Sequence, residues 1–293
     1  MTTEDINPRT TEIDALSTRE ILCRINTEDA TVATVIAHEI DAITAVTERV
    51  VAAFDRGGRL IYVGAGTSGR LGVLDATECP PTYSSNPQQV QALLAGGPAA
   101  MTASVEAAED DMDAGARDVD RLEVGAHDVI LGIAASGRTP YVVGALRRAN
   151  ERGAYTAALV GNRQGAVADM AELVIAPDTG PEVVAGSTRM KAGTAQKLVL
   201  NMISTTAMIA TGHTYRNLMV DLRATNSKLR ERARRIVCEA TDVDLDTATQ
   251  ALAEADGEVK TAIVMLVAGI PAHEARERLA QGHGVVRRGL ESG

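Results

Sequence analysis

The chain has 293 residues, room for one large domain or one domain with a small appendage, and its 45% hydrophobic and 23% charged residues are the balance of a folded protein. A net charge of −10 repels nucleic acid, and with no Trp, one Phe and five Tyr there are few rings to stack on bases or sugars. Cys23, Cys79 and Cys238 form no CxxC pair, and Ala42 stands where His38-Glu39 would need a second His, so no zinc cluster, disulfide framework or metalloprotease helix is expected.

Residues 1 to about 16 read as a loose polar lead-in without a basic-then-apolar leader, so the expected compartment is the cytoplasm. Ser17-Thr-Arg-Glu20 is a capping box that starts a short helix through Asn26. A longer helix from about Thr31 places Val35, Ile36, Ile40, Ile43, Val46 and Val50 on one face and stops at Gly57-Gly58. Apolar runs at Leu60–Val63, Val90–Ala95, Val129–Ala134, Tyr155–Val160 and Leu173–Ala176 are each of strand length. The segments between the later runs, such as Thr139 to Arg152, carry helical spacing. The alternation predicts an α/β fold, a five-stranded parallel sheet sandwiched by helices.

After the fifth run a long helix is expected to about Thr211, capped by Ser187 or Thr188. From about Thr225 a helix runs through Ala240, and its basic stretch Lys228 to Arg235 reads as a solvated face. Three short helical segments follow, near Leu245–Ala255, Glu258–Val267 and Pro271–Gln281. The expected division is a helical lead-in over 1–58, the α/β domain over 59–224 and a small helical unit over 225–293. The most apolar stretches, Thr261 to Ile270 and Leu198 to Ala210, are too short or too interrupted to span a bilayer, so no membrane partner is expected.

The chemistry-bearing residues gather at the strand ends. Leu60–Val63 breaks into Gly64-Ala-Gly-Thr-Ser-Gly-Arg70 and then resumes helical spacing, which is how a buried strand passes through an anion-binding turn into a helix. Gly64, Gly66 and Gly69 satisfy GxGxxG, but the second strand ends in Gly96-Gly97 where a dinucleotide site wants an acid, and no GK[ST] follows. In a 2-1-3-4-5 sheet the ligand crevice lies between the first and third strands. Those strands end in Thr67-Ser68 and in Ala135-Ser-Gly-Arg-Thr-Pro140, two hydroxyl-rich loops. Arg189 and Lys191 fall in the first turn of the long helix, where the dipole disfavours cations; a shared anion or exposure to solvent would resolve the conflict. Glu78 precedes Cys79-Pro80-Pro81 at the expected end of a short helix. It is either a carboxyl on a stiffened turn or a surface acid closing that helix. Cys79 reads as a small buried thiol. Glu109, in Glu106-Ala-Ala-Glu-Asp-Asp111, reads on its own as a solvated helix start.

GAGTSGRLGVLDATECPPTY, GIAASGRTPYV and GSTRMKAGTAQKLVLNM, in this order, closely resemble the N-acetylmuramic acid 6-phosphate etherases, whose core is the sugar isomerase (SIS) domain with flavodoxin-like strand order. The resemblance covers nearly the whole chain and includes a C-terminal unit similar to ubiquitin-associated domains. It implies cleavage of the lactyl ether of N-acetylmuramic acid 6-phosphate to N-acetylglucosamine 6-phosphate and D-lactate, without metal or other cofactor. It maps the family's two functional glutamates onto Glu78, as the acid that assists lactate, and Glu109, as the base that activates water. It assigns the sugar phosphate to Gly66, Thr67, Ser68, Ser136, Gly137, Arg138 and Thr139, with Ser187, Thr188, Arg189 and Lys191 as further contacts. It also implies a homodimer. An aldose–ketose isomerase and a silent sugar-phosphate sensor share the same scaffold, and release of lactate separates them from an etherase.

Overall fold

The structure is a computed structural model describing residues 3–222 and 227–291. It divides into two compact units, Met1–Thr77 with Pro87–Ser204, and Glu78–Asn86 with Thr205–Gly293. The boundary expected between residues 224 and 225 lies outside the described residues.

The first unit is built on five parallel strands: β1 (Leu60–Gly64), β2 (Val90–Leu94), β3 (Val129–Ala134), β4 (Tyr155–Val160) and β5 (Leu173–Ile175). Their order is β2-β1-β3-β4-β5, the predicted arrangement. Leu60 pairs with both Val90 and Val129, and Val129 with Tyr155, so the strands start level. Side chains alternate between the two faces. Ile61, Val63, Ile130, Ala134, Ala158 and Val160 share one core with Val119, Tyr141, Val142, Leu146 and Ala149. Both faces are covered, which is why the strands read as continuous apolar runs rather than alternating ones.

Two helices on that face, α5 (Met112–Arg121) and α6 (Pro140–Glu151), pack backbone against backbone. A Cβ on Gly115 would lie 2.0 Å from the Tyr141 carbonyl oxygen, and one on Gly144 1.9 Å from that of Met112, so only glycine fits at either position. Two buried phenols are anchored on carboxylates: Tyr62 donates to Asp75 at 2.9 Å and Tyr141 to Asp118 at 2.6 Å.

Three expectations are corrected in this unit. The lead-in is not loose: Thr3, Asn7 and Thr10 are buried, with Asn7 bonded to the Pro181 carbonyl and Thr10 to that of Val183. The capping box at Ser17 starts α1 (Thr18–Asp29) as predicted, but the longer helix is two, α2 (Val32–Ala37) and α3 (Ile40–Phe54). The break falls at His38-Glu39, where the Glu39 carboxylate accepts from the Ala176 amide at 3.0 Å and from Arg163 at 2.7 Å. Ile40 is consequently exposed while Ile36, Ile43, Val46 and Val50 stay in the core. The third correction concerns α4 (Gly66–Tyr83), which does not end at Glu78 but carries Pro80 and Pro81 inside it. The rings are compatible with helical φ, and the helix stops only at Ser84, whose amide bonds the Pro80 carbonyl at 2.9 Å and whose φ is 52°. A single short turn, α7 (Ala166–Asp169), links β4 to β5, and α8 (Lys191–Ala210) is the long helix expected.

The second unit has its own core of Val220, Ile236, Val237, Val259, Ile263, Val264 and neighbours. A hairpin of β6 (Thr214–Tyr215) and β7 (Leu218–Met219) leads to α9 (Ser227–Thr241), α10 (Leu245–Glu254), α11 (Val259–Ala268), α12 (Ala272–Gln281) and α13 (Val286–Glu291). The hairpin and α13 escape a sequence reading because two residues per strand and six in the helix are too few for a period to repeat. Among the described residues no single helix is long and apolar enough to cross a membrane.

Candidate active site

In the first unit the strand order reverses between β1 and β3, so their carboxyl ends frame the crevice where open α/β sheets bind ligands. At the end of β1, α4 begins at Gly66, whose φ of 53° lets the chain turn within one residue. Gly69 seats this turn on the strand, for a Cβ there would stand 2.5 Å from the Gly64 carbonyl oxygen. The first amide of the turn with an acceptor in this segment is that of Gly69, bonded to Ala65. Among the described residues the amides of Gly66, Thr67 and Ser68 bond no backbone carbonyl, as is usual for the first donors of a helix N-terminus. Ser68 is buried and donates to Gln196 Oε1 of α8 at 2.9 Å. The Thr67 methyl lies 3.5 Å from the position of a Cβ on Gly193, which places the first turn of α8 beside this loop.

At the end of β3, Gly137 is buried with φ 70°, and its carbonyl accepts from Val167 at 3.0 Å. Ser136 Oγ accepts from the Arg138 amide at 3.3 Å, while the Arg138 side chain is exposed. Thr139 occupies the N-cap position of α6 but makes no capping bond with its side chain. Glu109 is exposed in a 3₁₀ turn, Ala108–Asp110, that packs on α6. Ala107 enters the turn at φ 56°, a strained backbone for a residue with a side chain, and Asp111 closes it by capping α5 through the Ala114 amide at 2.8 Å. Arg70 holds the approach to this turn, donating to the carbonyls of Ala100 and Ala103.

The start of α8 differs from the expected arrangement. Neither Ser187 nor Thr188 caps it; the buried Glu182 does, accepting from the Lys191 and Ala192 amides at 2.9 Å each. A carboxylate bonded to two amides satisfies the helix end better than one hydroxyl. The cation conflict foreseen at Lys191 is settled within the chain, because its Nζ, 1% exposed, donates to Glu28 Oε2 at 2.9 Å. Arg9 and Asn7 bond the same carboxylate. Arg189 is exposed, and Ser187 and Thr188 are half-buried in the loop ahead of the helix. Gln196, Glu182 and Glu28 were not singled out from the sequence, since nothing in their local pattern marks them.

In the second unit Glu78 is exposed on the α4 segment, Cys79 beside it is buried, and the Tyr83 carbonyl that ends this helix is bonded by His213 at 2.9 Å. Among the described residues no three His, Cys, Asp or Glu side chains converge as metal ligands would. The structure thus brings together the Thr67-Ser68 loop and the first turn of α8, sets the Ser136–Thr139 loop on the adjoining strand, and seats Glu109 on the helix that follows it.

A family model, the glucokinase regulatory protein N-terminal SIS domain, matches residues 42–150. The chain is 52% identical over 291 residues to an N-acetylmuramic acid 6-phosphate etherase of Geobacillus thermodenitrificans, covering 99% of each chain. It is 54% identical over 286 residues to one of Cutibacterium acnes, covering 98% of this chain and 94% of the relative. Among solved structures, a phosphoheptose isomerase from Neisseria gonorrhoeae shares the fold at 19% identity with a TM-score of 0.50, over 65% of this chain and 98% of the other.

Proposed function

This chain belongs to the N-acetylmuramic acid 6-phosphate etherase family, a family of carbon–oxygen lyases, and from that premise we propose how its own residues divide the work. The reaction converts N-acetylmuramic acid 6-phosphate and water to N-acetylglucosamine 6-phosphate and D-lactate. In the open-chain aldehyde the carbonyl acidifies the hydrogen on carbon 2, so a base removes it while the carbon 3–oxygen bond breaks. Lactate leaves with a proton from an acid, and water adds to carbon 3 as a proton returns to carbon 2. Glu78 is the acid that assists lactate, and Glu109 the base that activates water.

The phosphate is held by the free amides at the start of α4 and by Thr67 and Ser68, with Ser136, Gly137, Arg138 and Thr139 completing the cradle. The observation that carries this reading is the convergence of two hydroxyl-and-amide loops at the reversal of strand order, one of them opening a helix of eighteen residues. Ser187, Thr188 and Arg189 face the sugar or its lactyl carboxylate, and Lys191 sets their loop by holding Glu28. Two copies of the chain make the working enzyme, in the cytoplasm.

The test is D-lactate release from N-acetylmuramic acid 6-phosphate by the wild type, Glu78→Gln and Glu109→Gln. Each variant is expected to lose on the order of 10²- to 10⁴-fold in kcat. Wild-type kcat in either variant removes that residue from the chemistry, and sugar-phosphate binding without lactate release by the wild type would make the protein a sensor.

A further inference from the structure

A polar chain in the second unit stands apart from the loops above: His213, Asp221 and Lys260, which ends on the segment carrying Glu78. His213 follows α8, where its amide bonds the Met208 carbonyl at 3.0 Å, and it opens the β6–β7 hairpin, where its carbonyl accepts from Val220 at 3.2 Å. Both main-chain groups of His213 are therefore held. Its Nδ1 lies 2.9 Å from the Tyr83 carbonyl oxygen and 2.9 Å from Asp221 Oδ2. Both neighbours are acceptors, so Nδ1 carries a hydrogen whether the ring is neutral or charged. Lys260 Nζ donates to the same Asp221 oxygen at 2.8 Å. Burial opposes the charge on Asp221, but the bonds from His213 and Lys260 outweigh it and hold the carboxyl below its usual range. The Tyr83 ring meets the imidazole edge-on, with centroids 6.2 Å apart.

Tyr83 is the last residue of α4. Pro80 and Pro81 offer no N–H to the carbonyls of Ala76 and Thr77, so the turns around Glu78 lack two of the bonds that hold an ordinary helix. Fixing such a segment falls to contacts at its end, and the His213 bond is one of them. We propose that His213 is a positioning residue for Glu78: it holds the Tyr83 carbonyl and so fixes the last turn of α4, while Asp221 and Lys260 fix His213. This rests on the reading of Glu78 as the acid of the reaction.

The two side-chain amides separate the ring's nitrogens, since Asn at 213 presents an N–H near the place of Nδ1 and Gln near that of Nε2. Steady-state lactate release is measured for the wild type, His213→Asn, His213→Gln and Glu78→Gln, with thermal unfolding run on each. His213→Asn is expected to keep kcat within about threefold. His213→Gln is expected to lose about thirtyfold in kcat with KM changed less than about threefold, the pattern of a misplaced reacting group with binding intact. Equal kcat in folded Asn and Gln variants would overturn the positioning role and leave Glu78 as the acid. Full kcat in Glu78→Gln would overturn the catalytic reading, and the proposal with it. Should His213→Gln fail to fold, Asp221→Asn makes the same test: about a tenfold loss of kcat is expected, and an unchanged kcat overturns the proposal.

Discussion

Glu28 is 2% exposed and gathers Arg9, Asn7 and Lys191 on one carboxylate. Arg9 contributes most, and with Lys191 and Asn7 it overcomes the opposing effect of burial, so the carboxyl titrates at about 2 instead of 4.5. Because the folded value is the lower one, this stabilisation is complete above the unfolded value of 4.5 and is lost as pH falls toward about 2. It amounts to about 3 kcal/mol. In urea unfolding followed from pH 7 into acid, the stability of Glu28→Gln should therefore lie below the wild type at pH 7 and converge with it as pH falls through that range. Lys191→Met, which leaves the carboxylate with one partner fewer, should cost about 3 kcal/mol or more and raise KM, because the loop bearing Ser187, Thr188 and Arg189 loses its support. The capping box at Ser17 and the hydroxyls at Thr67 and Ser68 were legible in the sequence because each is a local pattern. Glu28 and Lys191 are 163 positions apart, and no local pattern joins them. What the sequence did reveal was the conflict, a cation in the first turn of a helix, whose resolving anions proved to be Glu28 and Glu182.

Between elements, the tightest seam described is that of α5 on α6. Gly115→Ala sets a methyl 2.0 Å from a carbonyl oxygen that cannot move without its helix, so about 3 kcal/mol of stability should be lost, read as a lower urea midpoint at unchanged slope. Since the turn with Glu109 packs on α6, the same variant should also lose kcat while it remains folded. All five strands were readable to within a residue at each end, because a parallel sheet buried on both faces writes each strand as an unbroken apolar run. Helices were harder. The apolar stripe of residues 35–50 continues through His38-Glu39, where the helix breaks and the Glu39 carboxylate meets the distant Ala176 and Arg163, partners that no local pattern shows. Pro80-Pro81 looked like a stop, yet prolines at these positions merely remove bonds from a helix held by its surroundings.

On the scale of the molecule the chain divides into two units, each with a hydrophobic core among the described residues, and Glu78 belongs with the unit built mainly from the C-terminal residues. A reading in chain order has no means of seeing that Glu78–Asn86 packs with residues more than a hundred positions on. Ile263 is fully buried in that second core, and none of the phosphate-loop residues is among its members. Ile263→Ala should cost about 2–5 kcal/mol and lower lactate release as the second unit opens, whereas a role confined to the first unit would leave activity untouched. The two anchored phenols, Tyr62 on Asp75 and Tyr141 on Asp118, both lie in the first unit, in a chain without tryptophan. Near-ultraviolet circular dichroism, which arises from aromatic rings locked in chiral surroundings, therefore takes much of its signal from that unit. Far-ultraviolet ellipticity follows the helices of both, so comparing the two spectral regions during one melt tells the units apart with no label attached.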